Sequence, residues 1–90
     1  MKIERIDWVD SRGVTDHWSR IDDLEDNEPC NMVSVGWVFK EDEKQIQIAP
    51  HVGLEDDVAE RQVSGVMTIP KQCITHRIRL TGLEQGQSNV

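Results

Sequence analysis

The sequence predicts a mainly β domain, and three observations carry that expectation. Apolar and polar residues alternate in four short runs, Met32–Phe39, Gln45–Ile48, Gln62–Ile69 and Ile74–Leu80, the period-two pattern of half-buried strands. Pro50, Gly65, Pro70 and clusters of charge punctuate these runs. The chain has 90 residues, enough for one core that removes roughly 60–65% of the unfolded surface from water.

Lys2 to Val9 reads as a first strand with imperfect alternation, Ile6 and Trp8 on one face and Ile3 and Val9 on the other. Asp10-Ser11-Arg12-Gly13 is a turn. Thr15-Asp16-His17-Trp18 then opens a short helix to about Leu24, in which Trp18, Ile21 and Leu24 meet on one side. Residues 22–29 are too acidic and punctuated to be core. In Met32–Phe39, Val33, Val35, Trp37 and Phe39 form a strongly apolar face, opposite Ser34, Gly36 and Val38. The charged run Lys40–Lys44 followed by Gln45–Ile48 predicts a hairpin with its tip near Glu41 to Glu43, ending at Ala49-Pro50 because proline lacks the amide a central strand needs.

His51 to Glu60 is an acidic connection with room for one helical turn. In Gln62–Ile69, Val63, Gly65, Met67 and Ile69 share a face, and Gly65 marks a sharp bend or bulge. Residues 69–74 suit a single 3₁₀ turn. In the last strand Ile74, His76, Ile78 and Leu80 form an apolar face and Thr75, Arg77 and Arg79 a polar, basic one. A strand, a tight turn and a final strand is the ending of small barrels. The expected architecture is therefore a small five-stranded SH3-like/Sm-like barrel or curved antiparallel sheet with one short N-terminal helix, over residues 1–81, followed by a disordered tail at 82–90.

Composition narrows the function classes. The core is assembled mainly from Val, Ile, Leu, Met and a few indoles, since there are three Trp, one Phe and no Tyr. No run approaches the roughly 20 apolar residues that cross a bilayer, and the first residues lack a secretory apolar core, so the expected location is the cytoplasm, away from membrane. In that reducing compartment Cys30 and Cys73 read as small buried apolar residues. The net charge of −7 is uneven: residues 1–60 hold sixteen acidic and six basic side chains, residues 61–90 four basic and one acidic. An anionic protein is repelled by phosphate, which disfavours nucleic acid as a partner.

Chemistry-bearing motifs do not emerge. His17, His51, His76, Cys30 and Cys73 are scattered without a CxxC, HxxxH or HExxH spacing, so no metal is expected. His76 reads as a core or rim residue and His51 as exposed. There is no GxSxG elbow, no GxxxxGK or GxGxxG loop, and hence no catalytic residue and no cofactor to assign. The expectation is a protein that is not an enzyme.

Surface features point to recognition. Segments 22–28, 41–43 and 55–57 are acidic and read either as solvated loops or as an anionic surface for a basic partner. Arg77 and Arg79, joined by Lys71 or Arg61, form a basic strip on the last strand, which serves either as a protected edge or as a strand that recruits a peptide or a second copy. Trp18 and Trp37 read first as core residues and second as interface anchors. Trp18, Trp37, Arg77 and Arg79 are therefore the candidate interaction surface.

The series Trp8-Val9-Asp10-Ser11, Trp18, Val35-Gly36-Trp37-Val38, Ile48-Ala49-Pro50-His51, Gly65 to Lys71 and Ile74 to Leu80 resembles a group of short uncharacterised phage and prophage proteins. The resemblance implies a phage-related accessory protein that binds a host or phage protein in a bacterial cell, and it implies no site residue. Two other readings stand beside that one: an acidic inhibitor or DNA mimic acting on a nucleic-acid enzyme, and an Sm-like nucleic-acid-binding module. A homo-oligomer is compatible with all three.

Overall fold

A computed structural model describes residues 1–25 and 28–81; the tail expected over 82–90 lies outside the described residues. The described residues form seven strands, β1 Lys2–Asp10, β2 Cys30–Glu41, β3 Gln45–Ala49, β4 His51–Gly53, β5 Gln62–Ser64, β6 Met67–Pro70 and β7 Ile74–Arg79. Three 3₁₀ turns accompany them, at Ile21–Asp23, Val58–Glu60 and Lys71–Cys73. Five strands make one antiparallel sheet in the order β6-β3-β2-β1-β7, and β4 and β5 make a separate two-stranded ribbon.

That order forces the sheet to curl. β6 and β7 occupy opposite edges, yet only the turn Lys71–Cys73 separates them. Five flat strands at the usual spacing would hold the edges about 19 Å apart, whereas the four residue steps from Pro70 to Ile74 reach at most about 14 Å. The sheet therefore wraps around its own apolar face without closing into a barrel, since β6 and β7 do not pair among the described residues. Ile6, Ile46 and Ile69 are fully buried on the inner face with Trp8, Val38 and Ile48, and Ile74 packs against them. Full burial of each such side chain contributes about 1.5–3 kcal/mol.

Two irregularities decide which residues face inward. The β2–β3 register slips between Val38 and Lys40, and the β1–β7 register slips between Asp7 and Trp8. Because side chains alternate with period two, each slip exchanges the faces beyond it. On β2 the inner face before the slip is Ser34, Gly36 and Val38, and Val33 and Val35 lie on the outer face, more than half exposed. The apolar face expected on that strand is thus the outer one. The inner face has no room for larger residues there: the Trp8 indole lies over Ser34, donating from Nε1 to its Oγ at 3.0 Å. A Cβ on Gly36 would lie 2.8 Å from the Ala49 carbonyl oxygen and 2.9 Å from Ile48 Cγ1.

On β7 the slip has the same effect. Ile74 pairs with Trp8, Arg77 with Ile6 and Arg79 with Glu4, so Ile74, Arg77 and Arg79 share the inner face, while His76 pairs with Asp7 and Ile78 with Arg5 on the outer one. His76 is exposed and is not a core residue. The expected N-terminal helix is replaced by the single 3₁₀ turn Ile21–Asp23 in the 19-residue connection between β1 and β2. Trp18, Ile21 and Leu24 are all exposed, so no sheet surface receives the apolar side that would stabilise a helix of this length. Cys30 and Cys73 are free and half-buried.

Candidate functional site

β3 and β4 are one strand interrupted by Pro50, and β5 and β6 are one strand interrupted by Gly65. Ile48 faces Met67 and His51 faces Ser64, the same register on both sides of the break, which sets Gly65 opposite Pro50. Gly65 takes a left-handed backbone (φ 78°), and a Cβ there would meet Pro50 Cδ at 3.0 Å. The bend turns the ribbon away from β2: β3 pairs with β2 as far as Ala49–Trp37, and β4 only approaches it at its root. β2 nevertheless continues to Cys30, paired on its other side with β1.

The direction in which the uncovered residues of β2 aim their backbone follows from the neighbouring strand. The Ile3 carbonyl accepts from the Leu80 amide at 2.9 Å, and the Asp7 carbonyl accepts from the Thr75 hydroxyl at 3.1 Å. Odd-numbered residues of β1 therefore present their backbone to β7 and even-numbered ones to β2. Through the register Ile6–Ser34 and Trp8–Met32, Ser34 and Met32 point at β1, which leaves Asn31, Val33 and Val35 pointing toward the side the ribbon has vacated. A depression of about 220 Å³, lined by Ser34, Val35, Ile48, Ala49, Pro50, Gly65 and Met67, lies at its inner end.

Two segments, here called arms, stand off the main sheet. One is the β1–β2 connection, residues 11–29, its neck tied by Arg12 Nε donating to the Glu28 carbonyl at 2.7 Å. The other is the tip of the β4–β5 ribbon, residues 54–61, where the Asp57 carboxylate accepts from the Ala59 amide at 3.0 Å. The first carries six carboxylates against Arg12 and Arg20, the second four against Arg61. The remainder of the chain balances, seven acidic against seven basic, so the arms hold the whole net charge of −7. Both also expose large apolar side chains: Trp18 (fully exposed), Val14, Ile21 and Leu24 on the first, Leu54 and Val58 on the second. The third acidic segment, Glu41-Asp42-Glu43, lies at the other end of β2 in the β2–β3 turn, where the Asp42 carboxylate accepts from the Lys44 and Gln45 amides.

Arg77 is held in a four-member ion network on the inner side. Its Nε and Nη2 donate to the two oxygens of Glu4 at 2.9 and 2.8 Å, its Nη1 and Nη2 to those of Glu41 at 3.1 Å, and Lys71 Nζ lies 2.7 Å from Glu41. The Arg77 and Lys71 cations hold the Glu41 carboxyl down at about 2, and the two carboxylates raise the Arg77 pKa further. Glu4 is the buried charged residue of the inner face. The network joins β1, β2, β7 and the turn after β6, so it bridges the gap that backbone pairing leaves open between the two sheet edges. Its two carboxylates and two cations neutralise one another.

The four sequence-predicted residues are therefore not gathered. Trp18 stands on an arm, and Trp37 is half-buried on the outer face between Ile3 and Ala49. Arg77 is inward and ion-paired, and Arg79 is exposed on the same face of β7. Glu4, Glu41, Val33 and Val35 were not singled out as site residues, and no local motif marks them, since Glu4 and Arg77 are 73 positions apart. No group of three or more His, Cys, Asp or Glu side chains suited to a metal ion occurs among the described residues, and no helix is long and apolar enough to cross a membrane. No protein-family model, curated protein or solved structure matches this chain.

Proposed function

We propose that this chain is a non-enzymatic protein-interaction module, a phage-related accessory protein acting in the bacterial cytoplasm, built on a small SH3-like or Sm-like frame. The observation that carries the reading is the pair of arms, which expose Trp18, Val14, Ile21 and Leu54 to solvent. Ordering a connection of 19 residues costs conformational entropy, and leaving a tryptophan fully exposed on it forgoes the burial that would offset that cost. Such a side chain regains the burial energy when a partner covers it, and tryptophan is among the residues that most often dominate interface energies.

The alternatives draw less support. A DNA mimic needs its acidic segments on one face, whereas 41–43 and the β1–β2 connection adjoin opposite ends of β2, about 35 Å apart for its 12 residues. A basic strip for nucleic acid would rely on Arg77, and four of its five N–H donors are already taken by Glu4 and Glu41. Affinity capture with the tagged protein from infected or lysogenic bacterial cells tests the reading. The expected result is a protein partner retained by the wild type and lost with Trp18→Ala; absence of any enriched protein would remove its basis.

A further inference from the structure

We propose that the free edge of β2, along Asn31, Val33 and Val35, is a strand-addition site for an extended, lysine- or arginine-bearing segment of another protein. This deepens the interaction reading and rests on it. Three independent features converge on that edge. Its N–H and C=O groups are aimed into the notch left by the bend at Pro50 and Gly65, with no strand paired to them among the described residues. A second extended backbone matches the spacing of these donors and acceptors and can pair with the whole row at once, as in peptide recognition by strand addition. Val33 and Val35 flank the edge on the outer face and Met32 and Ser34 on the inner, so both faces of an added strand find apolar or small neighbours.

Charge selects the occupant. The notch runs from Pro50 and Gly65, where the β4–β5 ribbon leaves the sheet, to Cys30, where residues 11–29 join β2, and these two segments together carry the protein's entire net charge, ten carboxylates against three cations. A second copy of this chain adding β2 to β2 would bring the same acidic arms together, and like charges brought close oppose association. A segment with Lys or Arg at alternate positions instead places its cations toward the arms while its backbone pairs with β2. The arms attract it from a distance, and the edge fixes its register.

The probe is the peptide acetyl-Lys-Val-Lys-Val-Lys-Val-Lys-amide, with two controls: the same peptide carrying Glu for Lys, and the Lys peptide N-methylated at its interior amides. The first control reverses charge, and the second keeps charge but removes the backbone donors. Hydrogen exchange of the Asn31, Val33 and Val35 amides is followed at saturating peptide, at low and at physiological salt. The Lys peptide is expected to slow exchange at these amides by at least about tenfold, with weaker binding at higher salt and no protection from either control. Protection that is absent, equal with the N-methylated peptide, or confined to residues 11–25 and 54–61 overturns strand addition.

Captured partners separate the two proposals. Val33→Pro removes one of the outward-facing amides, and the peptide controls, which leave the protein unaltered, cover the case in which this variant does not fold. A partner lost with Val33→Pro, with the far-ultraviolet spectrum unchanged, supports the strand site. A partner retained at the wild-type level overturns it while the interaction reading stands, and capture of no partner by the wild type removes both.

Discussion

Arg77→Met tests the idea that an ion network replaces backbone pairing at the open seam of the sheet. The substitution keeps most of the side-chain length, removes the guanidinium, and takes from Glu4, buried at 7% exposure, the cation ion-paired to it among the described residues, leaving only the exposed Arg79 opposite it on β7. Stranding a buried carboxylate costs about 3–5 kcal/mol, and the 29% exposure of the Arg77 side chain places the expectation at the lower end, about 3 kcal/mol. Urea unfolding followed by tryptophan fluorescence reads it, because Trp8 is buried in the core and reports its exposure. With a urea dependence of about 1 kcal/mol per molar for a domain of this size, the midpoint falls by roughly 3 M, and the loss is a large fraction of the about 5–15 kcal/mol typical of a domain. Adding Glu4→Gln to Arg77→Met should recover at least about 1 kcal/mol, since a neutral amide costs less to bury than a carboxylate. A loss below about 0.5 kcal/mol, or a double variant no more stable than the single one, would refute the reasoning.

The pH dependence of the same network follows from Glu41. Its folded-state pKa is about 2 against 4.5 for the free group, because Arg77 and then Lys71 donate to it, so its contribution is present above pH 4.5 and is lost as pH falls from 4.5 through 2. Linkage over that interval would give about 3 kcal/mol for a fully shielded group, but Glu41 is 38% exposed and solvent screening reduces the expectation to about 1 kcal/mol. Wild-type and Glu41→Gln midpoints should therefore converge toward pH 2; parallel curves would show that the pairs contribute nothing. Gly36→Ala places a Cβ 2.8 Å from the Ala49 carbonyl oxygen, and a thermal melt should show a loss of about 2 kcal/mol. Ser34→Ala leaves the Trp8 indole N–H unpaired and should cost about 1 kcal/mol in the same melt. Trp18→Ala should leave the melting temperature unchanged, as a fully exposed side chain adds nothing to folding; a clear drop would show that the arm packs onto the sheet.

Most strands of the main sheet were legible because their signals are local. The alternation in Gln45–Ile48, the break at Pro50, the bend at Gly65 and the 3₁₀ turn before Ile74 each depend on residues within a few positions. The helix expected near Trp18 failed for a corresponding reason: spacing alone places Trp18, Ile21 and Leu24 on one side, but a short helix persists only where another surface buries that side. The notch beside β2 was half-legible. Proline announced that β3 would stop, while β2's continued pairing with β1 beyond that point depends on register with residues 20 or more positions away.

The sequence by itself determined a mainly β chain with one core, where most of its strands stop, and a charge divided between an acidic first two-thirds and a basic remainder. The tertiary structure alone decided which faces are buried and which edge is open. One-residue slips near Phe39 and Thr75 exchange the two sides of a strand, and those slips are fixed by pairing partners remote in sequence. Arg77, which by alternation belonged to an exposed basic strip, is turned inward onto Glu4 and Glu41, and Val33 and Val35, which by alternation belonged to the core, are left beside the open edge of β2.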